Sequence, residues 1–261
     1  MTEEDGSLYW KRNLWVCVFG SFTTIIAMTL LLPFLPLYVE QLGVSDHAAI
    51  VQWSGVAYGA TFLTAAMFAP LWGRLGDQYG RKLMLIRSSL GMAVAMSLIG
   101  LSQNVYQLVG LRLLAGLLGG YSSGSNILVA TQTPRAQTAW ALGVMASGIM
   151  AGSLAGPLIG GVLPPLIGIR MTFLAAGAII FVAFLATTFL IKEDPRPRRP
   201  AGARKQGGWT TIEDKRPVVA MLVTGTLLMF ANMSIEPIIT VYVQQIVPDT
   251  TQVTVVAGLV M

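Results

Sequence analysis

Arg112 and Glu236 are the ionisable residues set inside long apolar runs of this chain. A charge in hydrocarbon is costly, so such groups normally face a bundle interior or a water-filled cavity. A carboxylate in a drying cavity holds its proton more tightly, and a nearby cation has the opposite effect. That chemistry suits a group that binds a proton in one state and releases it in another. Two other roles fit the same residues. Arg112 equally suits a structural donor to backbone carbonyls, and Glu236, just before Pro237, suits a side chain that snorkels to the interface. Nothing else in the chain suggests catalysis. It has one histidine, His47, and one cysteine, Cys17, far apart, so neither a metal cluster nor a nucleophile–base pair is expected. An embedded enzyme is therefore the weaker alternative, and no pore loop or charged ring suggests a channel. No cofactor, no metal and no nucleic acid are expected.

The elements that position these residues follow from composition. Hydrophobic residues make up 54% of the 261 positions and charged residues 11%. A soluble domain carries about 25% charged residues, so lipid must be the solvent for much of this chain. A spanning helix needs about 20 apolar residues. Seven runs qualify: Leu14–Tyr38, Ile50–Trp72, Leu83–Leu101, Tyr106–Ala130, Ala136–Leu163, Met171–Ile191 and Val218–Val243. Backbone groups in lipid must pair within their own segment, so the runs are expected to be helices. The first is too long for a secretory leader and lacks a cleavage site.

Basic residues set the orientation. Lys11, Arg12, Arg74, Arg81, Lys82, Arg87, Arg135 and the cluster from Lys192 to Arg216 all fall on one side of the expected bilayer; Arg170 alone falls opposite. By the positive-inside rule the N-terminus is expected in the cytoplasm, and the net charge of +5 is a topology signal. Residues 192–217, basic and rich in Pro and Gly, are expected to link a six-helix bundle (1–191) to the start of a second one (218–261). An apolar stretch at Thr251–Met261 resembles an eighth helix begun and unfinished, so the chain reads as a fragment. In this topology Arg112 and Glu236 lie at similar depth, about 10 Å from the outer face.

Two glycine-rich patterns stand out. One is Gly73-Arg74-Leu75-Gly76-Asp77-Gln78-Tyr79-Gly80-Arg81-Lys82, expected as a tight polar turn in which Asp77 meets a cation, with Arg81 the better candidate and Arg74 an alternative. The other is Gly148, Gly152, Gly156 and Gly160, one helix face at every fourth residue, joined by Pro157 and Gly161.

Together these patterns resemble the major facilitator superfamily. The loop matches at Gly73, Asp77, Gly80, Arg81 and Lys82, and departs at Gln78, where the family usually has a base. Arg112 and Gly116 resemble the fourth-helix arginine motif, with Ala115 in place of its glutamine. The stretch from Gly148 to Gly161 is similar to the fifth-helix motif of drug/proton antiporters, and Ile235-Glu236-Pro237-Ile238-Ile239 resembles bacterial multidrug exporters of the family. The resemblance implies an all-α membrane fold in which helices 1, 4 and 7 line a cavity and two bundles rock against each other. It implies a monomeric, multi-pass, proton-coupled exporter of small molecules in the bacterial inner membrane. Glu236 and Arg112 would serve coupling, the Gly73–Lys82 loop would serve as a conformational gate, and the fifth-helix glycines would seal the bundles against leak. An importer or symporter of a small solute is the alternative within the family.

Overall fold

Pro33 and Pro36 decide how the first apolar run folds, because each lacks an N–H and crowds the carbonyl one turn earlier. The computed structural model describes residues 8–193, 214–228 and 230–231. In it the first run is a broken span: α1 (Trp10–Thr29), a short 3-10 turn at Leu32–Phe34, then α2 (Leu35–Gln41). The second span is one helix, α3 (His47–Tyr79), started by Asp46, whose carboxylate accepts the Ala49 N–H at 2.8 Å. The third is α4 (Arg81–Gly100). The fourth is again broken, into α5 (Val105–Leu118) and α6 (Tyr121–Gln132), with Gly119 and Gly120 between them and Gly120 at φ +101°. The fifth is α7 (Thr138–Ile167) and the sixth α8 (Ile169–Leu190). Among the described residues, six spans are long and apolar enough to cross a membrane.

Six of the seven expected spans appear among the described residues, with three differences. Span 2 runs on past Trp72 to Tyr79, so Gly73–Tyr79 is helix and the turn shrinks to Gly80 alone. Spans 1 and 4, expected as single helices, are interrupted. Of the seventh run, Arg216–Leu228 is helical, named α9, as are residues 230–231; residues 232–243, with Glu236 among them, and Thr251–Met261 lie outside the described residues, as do 194–213 of the linker.

The bundle is built around α1 and α4. α4 packs along α8, α1 along α7 and α8, and α3 along α5. Two apolar clusters fill it. At the end far from the N-terminus, Leu31, Phe34, Tyr38, Met96, Leu108 and Phe173 pack together, with the Phe34 and Phe173 rings at 5.5 Å. At the other end Leu14, Cys17, Leu85, Tyr121 and Met145 form a second cluster. Spans 2 and 5 are the least covered, with 28% and 22% of their most apolar stretch buried. A monomeric bundle would leave those faces to lipid or to another helical element.

Polar bonds tie spans 1 and 6 together at the N-terminal end of the bundle. The buried Asn13 amide donates to Gln132 Oε1 at 2.7 Å and to the Lys192 carbonyl at 2.7 Å, and its oxygen accepts the Lys192 N–H at 3.1 Å. Spans 1, 4 and 6 are thereby fastened at one level.

Candidate functional site

The turn between α3 and α4 is a single residue, Gly80, at φ +97°. A side chain there would be strained, and its Cβ would lie 2.9 Å from a Glu193 carboxylate oxygen. That carboxylate accepts the main-chain N–H groups of Arg81 at 2.9 Å and Lys82 at 2.7 Å. It thus places an anion on the unpaired N–H groups at the α4 N-terminus. Arg81 then folds back over Gly76, where a Cβ would meet its guanidinium at 2.8 Å, and pairs with Asp77. Of the two partners offered to Asp77 by the sequence, the structure brings Arg81. Gly73 faces open space, with nothing within 4 Å of a Cβ built on it.

Arg112 is 1% exposed and donates from Nε to the Ala57 carbonyl at 3.2 Å, across the seam between α5 and α3. The same seam is stitched in the other direction: Thr61 Oγ1 donates to the Arg112 carbonyl at 3.1 Å and Thr64 Oγ1 to the Leu113 carbonyl at 2.8 Å. Gly116 makes this approach possible, since a Cβ there would strike the Thr61 carbonyl. The structural-donor role considered for Arg112 is therefore present. Its pairing with Glu236 lies outside the described residues.

A second arginine was missed. Arg87, counted from sequence as a topology-setting base, sits inside span 3 and closes the break in span 4. Its guanidinium donates to the Gly119 carbonyl at 3.0 Å and the Leu117 carbonyl at 3.4 Å. Trp72 Nε1 also donates to Leu117, at 2.8 Å, and the Arg87 guanidinium stacks 3.5 Å from the Trp72 ring centroid. The break frees carbonyls that a continuous helix would satisfy. Spans 2 and 3 supply what replaces them. The available signal was Gly119-Gly120 in an otherwise apolar run, combined with an arginine well past the start of the preceding one. Glu193, the acid in a basic segment, was also missed.

The glycine stripe of α7 is packed, and its partner is α1. A Cβ on Gly148 would lie 2.8 Å from Val18 Cγ1, and one on Gly152 2.8 Å from the Phe22 carbonyl. Gly156 meets Thr29 and Gly160 meets the Leu30 main chain. Pro157 and Gly161 are buried beside them. The stripe thus joins two helices of the first bundle, and most of the second bundle, against which a seal was expected, lies outside the described residues. The opposite face of α7 is exposed and apolar at Met150, Leu154 and Leu158.

Among the described residues, no three His, Cys, Asp or Glu side chains gather as metal ligands. Instead there is a helix bundle of membrane-spanning length, a buried arginine on an interhelical seam, and a one-residue turn locked by charge. These define a polytopic α-helical membrane protein. The chain belongs to the Major Facilitator Superfamily, whose model matches residues 17–261. It is 42% identical over 252 residues to the multidrug resistance protein MdtG of Proteus mirabilis, covering 96% of this chain and 63% of that protein. It is 42% identical over 261 residues to MdtG of Salmonella typhimurium, covering 100% of this chain and 65% of that protein. The chain thus spans about two thirds of the length of these curated relatives. Among solved structures it resembles a bacterial homologue of the human lysosomal transporter Spinster in an inward-facing, unoccupied conformation. There the TM-score is 0.77 at 16% identity, over 96% of this chain and 59% of the other. The human organic anion transporter MFSD10 superposes with a TM-score of 0.59 at 22% identity, over 69% and 47% of the two chains.

Proposed function

We propose that this chain works in the proton-coupled efflux of small, drug-like molecules by alternating access, with its N-terminus in the cytoplasm of a bacterial inner membrane. The observation that carries the reading is the match of the whole chain to multidrug resistance proteins at 42% identity. Two features of the bundle support it. Asp77 and Arg81 pair at the end of span 2, beside the open face at Gly73, which suits a contact that holds one conformation and releases another. Arg112 holds a positive charge, fully buried, in span 4. In this reading spans 1 and 4 form one wall of the substrate cavity and span 7 another, and Glu236 carries the proton.

The proton step needs a carboxylate whose surroundings change as the carrier rocks. Drying raises its proton affinity, and approach of Arg112 lowers it. The test is Glu236→Gln in everted membrane vesicles, measuring drug-induced proton movement and drug binding separately. Loss of proton movement with drug binding retained is the expected result. Coupled movement at the wild-type rate would remove Glu236 from the mechanism.

A further inference from the structure

A recess of about 620 Å³ opens at the end of the bundle where spans 1, 2, 3 and 6 meet. Lys82 and Lys192 line it together with Tyr9 and Tyr79. The Tyr9 ring already draws two cations, Lys192 Nζ at 4.7 Å and Arg12 Cζ at 4.8 Å from its centroid. One carboxylate, Glu193, lines the recess, but both its oxygens accept main-chain N–H groups at the α4 N-terminus. The balance of charge facing the opening is positive.

The recess continues into an apolar track. Leu83, at its edge, is half-exposed and begins a stripe of exposed residues up α4 to the residue that caps it: Leu90, Val94, Leu98 and Leu101. Their spacing of seven, four, four and three residues keeps them on one helix face. Lysines and tyrosines at the end of a span, above a continuous lipid-facing stripe, match the two parts of a phospholipid. A free phosphate would use the lysines and leave the stripe without a role.

We propose that this recess binds an anionic phospholipid, its phosphodiester held by Lys82 and Lys192 between the two tyrosines and one acyl chain laid along the α4 stripe. The experiment is native mass spectrometry of the full chain in detergent, titrated with phosphatidylglycerol, phosphatidylethanolamine or glycerol 3-phosphate. The wild type is expected to retain phosphatidylglycerol preferentially. Each of Lys82→Gln and Lys192→Gln should lower that preference about fivefold, the contribution of one basic residue near an anionic membrane surface. Lys→Arg at the same positions should keep it. Lys11→Gln, at the same end of the bundle but outside the recess, should leave it unchanged. An unaltered preference in both glutamine variants overturns the proposal, and so does an equal loss in Lys11→Gln. Retention of glycerol 3-phosphate as tight as the lipid overturns the lipid assignment in favour of a free anion.

Discussion

The α1–α7 seam gives a test whose size follows from the distances. At Gly160 an added Cβ falls against the Leu30 main chain, 2.7 Å from the carbonyl carbon and 2.9 Å from Cα. Backbone cannot rotate away as a side chain can. The Leu30 carbonyl oxygen lies closer still, and restoring ordinary contact with it requires the helices to part by more than an ångström. Forced overpacking of this kind costs about 1–3 kcal/mol, and a gap of that order weakens neighbouring contacts along the seam. Gly143 lies on the same helix with nothing within 4 Å of its Cβ position. Gly→Ala improves helix propensity by about 1 kcal/mol at either site, so that gain cancels between the two variants. Gly160→Ala should therefore be less stable than Gly143→Ala by about 1–3 kcal/mol. Gly148→Ala should fall between them, because its obstacle is the movable Val18 side chain. Reversible unfolding in mixed micelles, followed by circular dichroism, measures the order. Equal stability of the Gly160 and Gly143 variants would falsify the claim that these glycines are required by helix approach.

Asp77→Asn should change unfolding free energy by less than about 1 kcal/mol, because Asp77 is 67% exposed and such pairs contribute little to stability. Drug efflux should nevertheless be impaired at normal protein level, and wild-type efflux would reduce the motif to a turn. Arg87→Met strips the Gly119 carbonyl of its guanidinium partner and should cost about 1–3 kcal/mol; an unchanged midpoint would mean that water or neighbouring groups satisfy the break. For orientation, Ser45→Cys should react with an impermeant thiol reagent in intact cells while Ala203→Cys stays protected. Native Cys17 is fully buried and supplies no background. Ser45 is chosen because Gly43, two residues earlier in the same loop, sits at φ +98° and is left intact, and the opposite labelling pattern would invert the topology.

The parts legible in the sequence were those governed by local pattern. Six apolar runs became six spans because hydropathy over about 20 residues is all a bilayer demands. The stripe from Gly148 to Gly160 announced a close helix contact through its period of four, without naming α1 as its partner. Asp77 and Arg81, four apart, pair because the end of α3 and the start of α4 are joined by one glycine. What escaped was long-range. Arg87 meets carbonyls about thirty residues later, Glu193 caps a helix that begins 112 residues before it, and Asn13 bonds Lys192 across 179 positions. The breaks in spans 1 and 4 also escaped, since an average over a run is blind to the few residues that interrupt its hydrogen bonding.

Those unforeseen bonds distribute rigidity in the bundle. Asn13 and Glu193 fasten the first and last spans to each other and to the start of α4. At the far end Phe34 and Tyr38 close on Phe173, and the Tyr38 hydroxyl donates to the Ile99 carbonyl at 2.6 Å. With both ends tied, relative sliding of whole spans would break several bonds at once. The span 4 break is gripped by Arg87 and Trp72, and the Arg112 seam is bonded to span 2 in both directions. Hydrogen bonds fix orientation as well as distance, so the seam that holds Arg112 should move as a unit with span 2.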